Sequence, residues 1–429
     1  MISFIGMILG LLLFVVLAFK GFNLILSAVA SSCLMFVFSG IGILDGLREF
    51  YLPGLAGFLQ SYFLLFFLSA LMGKLMSDGG NAKKIALSLS GLIKKSRNNQ
   101  KFFCVILVPV LYFILCYVGI SGFVVVFTVL PIAKTIYEET DTPWRLYCCA
   151  GAQTVSAAYL AGSIQAGNVY ATDICGTTTM AGWKLSVISV VVFWAVSLMF
   201  LWIMLKVTQK KGEAFLPSGE GIRMANLDEG LSEDCLPGLL PSILPLAVVL
   251  VMSAVFQIYV VKALFAGCIL TIITGHRNLL PKLKISLSQG ITAAYGPILS
   301  VSATYAIGTV VKNIEGFTYF QNMLSALPHL MSGSLMGLLA AFIMASVAAP
   351  IPAFGSQYTL AGLSAGNAHR MMMLTSFTSI APHNAGIPNA AAVLRMPYAE
   401  CLKMYMLSTY IPGFITLFAA ILCIKMGIV

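Results

Sequence analysis

Charge is what this sequence has least of. Only 9% of its 429 residues are Asp, Glu, Lys or Arg, where soluble domains carry about 25%. With 59% hydrophobic residues and a mean hydropathy of +0.95, that scarcity excludes a soluble globular domain. A polytopic, all-α membrane protein of the inner (plasma) membrane remains. Metal-ligand patterns are missing too: there is no C-x-x-C pair and no histidine at ligand spacing. The cysteines in apolar runs (Cys33, Cys104, Cys116, Cys268, Cys423) are expected to behave as small hydrophobes. No G-x-x-x-x-G-K-[ST] loop occurs, so the chain is not its own ATPase, and no cofactor is expected. The N-terminus, M-I-S-F-I-G-M, lacks the basic region of a cleaved signal, so its apolar run is expected to stay as a span.

The formal charge of +10 does not point to nucleic acid. Seven basic residues (Lys74, Lys83, Lys84, Lys94, Lys95, Arg97, Lys101) face Asp78 alone in one block without interleaved aromatics, flanked by apolar runs. The positive-inside rule assigns that block to the cytoplasm. Simple spans, which need about 20 apolar residues, are expected at 2–19, 22–44, 51–73, 184–205, 237–258, 262–275, 286–311 and 402–425. The stretch N-A-K-K-I-A-L-S-L-S-G-L-I-K-K after Gly80 is basic and amphipathic and is expected along the cytoplasmic face.

Two regions do not follow the simple pattern. An apolar run over 102–134 is interrupted by G-I-S-G, and one over 331–364 by A-A-P-I-P-A-F-G-S. Each is followed by a second run with polar residues in its middle: A-G-S-I-Q-A-G-N within 146–172, and A-P-H-N-A-G-I-P-N within 372–395. Non-helical backbone at membrane depth is tolerated only where it is buried or lines a wet cavity. The expectation is a re-entrant hairpin followed by a broken helix, twice over. Residues 1–206 would form a first repeat, 207–236 a cytoplasmic linker, and 237–429 a second repeat. Threading the orientation through the chain makes the two repeats inverted, as in secondary transporters that bind at the midplane. Pairs of proline-kinked helices are the competing assignment.

A helix that stops in mid-membrane leaves free N–H groups and a partial positive charge at its new N-terminus, which suits a carboxylate. Around the first break lie Ser163, Gln165 and Asn168, then Asp173, Thr177 and Thr178; around the second lie His383, Asn384 and Asn389, with Pro388 expected to open the second half-helix. Ser121 marks the first hairpin tip. For any one of these, a helix–helix hydrogen bond is the rival role; the cluster favours a substrate site. His383 is a candidate proton carrier, with a neutral ring bonded to a backbone carbonyl as its alternative. Asp173 is a second proton candidate or a cap. Arg395 is expected as a snorkelling anchor.

Several stretches resemble the gluconate permease family within the larger ion transporter superfamily. They are L-M-G-K-L-M-S-D-G-G-N-A-K-K-I-A (71–86) and G-I-S-G-F-V-V-V-F-T-V-L-P-I-A (119–133). G-S-I-Q-A-G-N with G-T-T downstream (162–168, 176–178) is similar to that family's G-T-P-Q-I-Q-N…G-T-T. H-R-M-M-M-L-T-S…A-P-H-N-A-G (369–386) resembles its H-R…S…L-P-H-N-G through His369, Arg370, Ser376, Pro382, His383 and Asn384. The resemblance implies a proton-coupled importer of small hydroxy-carboxylates such as gluconate-like sugar acids, 3-hydroxybutyrate or D-serine. It also implies an elevator-type, homodimeric architecture. Ala161, Gly167 and Ala385 depart from the family pattern beside the inferred site. A sodium-coupled version would use carbonyls and hydroxyls near Ser121 and Ser356. Two other classes compete: an intramembrane protease pairing Ser121 with His383, and a passive channel, which would want a ring of ligands from an oligomer.

Overall fold

The computed structural model describes the chain except residues 95–98, 118–121, 164, 225–232, 255, 257, 326–328, 346, 348–350 and 352–355. The described residues form helices and no strand. The N-terminal third comprises α1 (Ile2–Phe19), α2 (Leu24–Phe38), α3 (Ile43–Asp78), α4 (Asn81–Lys94), α5 (Gln100–Tyr117) and α6 (Gly122–Glu139). Next come α7 (Ala152–Tyr159), α8 (Ala166–Cys175), α9 (Trp183–Lys210), α10 (Leu239–Ala254) and α11 (Val260–Thr274). The chain ends with α12 (Leu283–Asn313), α13 (Glu315–Ser325), α14 (His329–Met344), α15 (Ser356–Leu360), α16 (Ala365–Leu374), α17 (Gly386–Leu394) and α18 (Tyr398–Lys425). Among the described residues six segments are long and apolar enough to cross a membrane: α1, α3, α5, α9, α18 and the stretch His276–Asn313 that contains α12. This is a multi-pass membrane protein.

Lipid tails are as apolar as Leu, so burying apolar surface cannot by itself join these helices; close packing of small residues does. A Cβ on Gly54 of α3 would lie 2.6 Å from Thr309 Oγ1 and 3.2 Å from the Ala306 backbone of α12. One on Gly10 of α1 would lie 2.5 Å from Met35 Cγ of α2. Tyr51 adds a hydrogen bond from its hydroxyl to Ala303 O at 3.2 Å. The buried apolar side chains fall into two groups. One joins α1, α2, the end of α12, α13 and α14; the other gathers around α3, α5 to α9 and α16 to α18.

The loop after α3, the end of the linker and the loop after α11 meet at one end of the fold. Asn81 Nδ2 donates to Thr274 Oγ1 at 2.9 Å, and Asn278 Nδ2 donates to Gly79 O and Cys235 O at 3.1 and 2.9 Å. Farther along, the linker ties to the α6–α7 loop through Arg145–Glu213 at 2.7 Å and through Phe215 N–H donating to Asp141 Oδ1 at 3.1 Å. The amphipathic α4 is no free surface helix: it packs against α6 and α10.

α5 and α6 return to the face they leave, because Lys101 Nζ donates to Asp141 O at 2.5 Å. α14 is likewise followed by a returning arm: a Cβ on Gly333 would lie 3.1 Å from the Tyr358 ring of α15. Both tips, 118–121 and most of 345–355, lie outside the described residues.

Candidate functional site

Two helices stop and restart inside the protein. The first is a 3-10 turn (Trp144–Gly151) and α7, then a gap from Leu160 to Gln165, then α8. The second is α16 and a 3-10 turn (Ser376–Ser379), then a gap from Ile380 to Ala385, then α17. They run antiparallel side by side. Trp144 Nε1 donates to Leu394 O at 3.1 Å, Tyr159 Oη to Leu374 O at 3.3 Å, and Asn168 meets His369 at 3.1 Å. Rising numbers on one chain segment thus meet falling numbers on the other.

At the first gap the chain leaves α7 and turns at Gly162 with φ +84, a conformation that suits glycine. The broken backbone is held by Ser186 of α9, whose hydroxyl donates to Tyr159 O at 2.9 Å and accepts from Ala161 N–H at 2.6 Å. Tyr117 Oη, at the end of α5, donates to Ala161 O at 3.0 Å. Gln165 Nε2 donates to Cys116 O and Thr154 O at 3.2 and 3.1 Å, so both its amide hydrogens are taken. Two features are left open here: Ser163 Oγ is fully buried with no partner among the described residues, and α8 begins with no side-chain cap. Ser186→Ala is expected to orphan two buried backbone groups at about 1–3 kcal/mol each. Thermal unfolding in detergent checks this, and an unchanged melting temperature would overturn it.

The second gap is closed more completely. Asn384 Nδ2 donates to Ala345 O at 3.0 Å and Ser379 O at 2.7 Å, while its Oδ1 accepts from Gly386 N–H at 2.7 Å. The α17 terminus is therefore capped from within. Pro388 is the third residue of that helix rather than the first, a position where an N–H has no intrahelical acceptor either. His383 is buried; its Nε2–H donates to Ile343 O at 2.8 Å, and Nδ1 has no partner among the described residues. Tyr398 Oη donates to Pro382 O. Ser379 Oγ is buried and also without a partner among the described residues.

The remaining candidates separate. Asn168 is fully buried: Nδ2 donates to Ala158 O at 2.8 Å, and Oδ1 accepts from His369 Nε2–H at 3.1 Å and Arg370 Nη1 at 3.0 Å. With Nε2 as donor, His369 Nδ1 accepts from Thr177 Oγ1 at 2.9 Å. Thr178 and Asp173 are exposed, Asp173 without an ion pair among the described residues. Asn389 is buried in α17. Ser121 lies outside the described residues, as does the side chain of Ser356, which opens α15. Arg395 ends α17 with φ +54, exposed, its carbonyl against Gly221 of the linker.

His369, Arg370 and Ser186 were not among the residues that sequence pattern placed at the site. For Arg370 a signal exists: a basic residue set directly against M-M-M-L, in a chain with few charges, is a functional candidate by its cost alone.

The model of the GntP family permeases matches residues 1–280, which include the hairpin α5–α6 and the whole first interrupted helix. This chain belongs to the GntP permease family. The permease is also 26% identical over 451 aligned residues to the uncharacterized transporter YxjC of Bacillus subtilis (strain 168), covering 92% of this chain and 93% of that protein. That second match spans both interrupted helices of the permease. A transporter rather than an enzyme is the class both relationships carry.

Proposed function

We propose that this permease is a proton-coupled symporter of a small hydroxy-carboxylate such as gluconate or 3-hydroxybutyrate. In this reading two inverted repeats, each a hairpin and a broken helix, carry the substrate by an elevator movement, and the chain works as a homodimer. One observation supports it most: the first gap presents a helix N-terminus without a side-chain cap beside a buried hydroxyl, Ser163, that has no partner among the described residues. A buried donor left open in a carrier is one the substrate can satisfy, and a helix N-terminus favours an anion. The division of the apolar core into two groups, one of them enclosing both broken helices, suits a moving body against a fixed one.

His383 supplies the proton step. Its Nε2–H is committed to Ile343 O and Nδ1 has no partner among the described residues, so Nδ1 is the base, and a proton there adds charge without breaking a described hydrogen bond. His383→Gln keeps an amide donor for Ile343 O and removes the base. The test is accumulation of labelled 3-hydroxybutyrate in proteoliposomes under an imposed proton gradient and, separately, a sodium gradient. Gluconate, lactate, succinate and D-serine serve as competitors. Uphill uptake driven by protons and lost in His383→Gln is the expected result. Uptake driven by sodium alone would reduce His383 to a structural role and turn attention to Ser121 and Ser356. No uptake and no competition by any of these acids would sink the carboxylate assignment.

A further inference from the structure

Arg370 is 1% exposed and forms no ion pair among the described residues. Burying a guanidinium costs heavily unless an anion or a full set of acceptors meets it. The acceptors here are all neutral: Nε donates to Ala181 O at 2.7 Å, Nη2 to Thr179 O at 2.5 Å, and Nη1 to Asn168 Oδ1 at 3.0 Å. A guanidinium has five N–H donors, so two are left without an acceptor among the described residues. The adjoining His369 spends its Nε2–H on the same Asn168 oxygen. One amide oxygen thus stands where two donors, one of them cationic, converge, and among the described residues no carboxylate pairs with the charge.

This excess of positive character lies at the first gap. Asn168 is the third residue of α8, whose N-terminus has no side-chain cap, and Ser163, buried and unpartnered, sits in the loop that leads into it. Gly167 packs this helix start closely against the second broken helix: a Cβ there would lie 2.8 Å from Met373 Cε and 3.3 Å from Ile351 Cδ1. Helix terminus, hydroxyl and guanidinium come from both broken helices and share one preference, for an anionic oxygen pair.

We propose that the carboxylate subsite of the carrier is built by Arg370, Ser163 and the N-terminus of α8, with Asn168 Oδ1 as the neutral placeholder that holds Arg370 between transport cycles. The substrate's carboxylate brings the missing negative charge, and its binding fastens the two broken helices together. This rests on the reading of the chain as an organic-anion carrier.

Asn168→Asp tests it, because it installs a permanent carboxylate of nearly the same shape beside Arg370. The variant gains an ion pair with Arg370 but sets its second carboxylate oxygen against Ala158 O, so its melting temperature in detergent is expected to stay near the wild-type value. Its uptake of 3-hydroxybutyrate is expected to fall on the order of 100-fold, the equivalent of one or two charge-assisted hydrogen bonds. Ser163→Ala removes a hydroxyl with no partner among the described residues, so its fold is expected to be unaffected while KM rises about 10-fold. If Asn168→Asp does not fold, Ser163→Ala decides alone. A wild-type KM in Ser163→Ala, or wild-type uptake by a folded Asn168→Asp, would reduce this cluster to a structural tie while the carrier reading stands. Wild-type protein inert toward 3-hydroxybutyrate, gluconate, lactate, succinate and D-serine would remove both.

Discussion

Gly182→Ala is expected to abolish folded permease, although it adds a single methyl group at the start of α9. Gly182 has φ +61, where an L-residue with a Cβ costs roughly 1–2 kcal/mol. The added carbon would also lie 2.3 Å from Gly366 O and 2.8 Å from Arg370 Cγ. The first of these is backbone, which cannot swing aside as a side chain does, and overpacking of this kind costs typically about 1–3 kcal/mol. The damage spreads along the chain, because the loop displaced would carry Ala181 O and Thr179 O, two of the three acceptors of Arg370. Gly176→Ala is the matched control: its φ of +59 is nearly the same, but nothing lies within 4 Å of the added carbon. Size-exclusion profile and melting temperature in detergent separate the two. Equal melting temperatures for Gly182→Ala and Gly176→Ala would show that the contact between Gly182 and Gly366 does not hold the broken helices together.

That contact also shows where sequence reading stops. Apolar length placed the long helices well: spans expected at 2–19, 184–205 and 402–425 appear as Ile2–Phe19, Trp183–Lys210 and Tyr398–Lys425. The gaps follow from composition as well, since Gly162 in one run and Pro382 in the other interrupt helical stretches at Leu160–Gln165 and Ile380–Ala385. Local chemistry says where a helix stops. It does not say which freed groups the rest of the fold will satisfy. Ser186, which holds Tyr159 O and Ala161 N–H, is 25 residues and more along the chain and looks like any hydroxyl in an apolar helix. Asn168 and Arg370 are 202 residues apart, and neither announces the other. The two gaps have comparable polar composition, yet the loop amide of Asn384 caps the start of α17, while among the described residues no side chain caps α8.

Asn384→Ala is expected to be more damaging still to the second gap than Ser186→Ala is to the first. The Asn384 amide makes three hydrogen bonds to three separate elements: the end of α14 at Ala345 O, the 3-10 turn at Ser379 O, and the start of α17 at Gly386 N–H. Alanine would leave all three backbone groups without a partner where water is scarce, at about 1–3 kcal/mol apiece. The hairpin α14–α15 would lose one of its ties to the broken helix, beside the bond from His383 to Ile343 O, so both stability and transport are expected to fall together. Asn384→Asp keeps the acceptor for Gly386 N–H but sets a carboxylate against two carbonyl oxygens, and is expected to rescue neither. These outcomes separate a brace from a ligand. A brace lowers the melting temperature in the absence of any substrate; a ligand raises KM and leaves the melting temperature where it was. The geometry favours the brace, because both amide hydrogens that Asn384 would offer a carboxylate are already in use and its oxygen already holds Gly386 N–H. On the proposed reading the second gap works by staying rigid, with His383 Nδ1 and Ser379 Oγ without partners among the described residues, while the carboxylate is taken at the first.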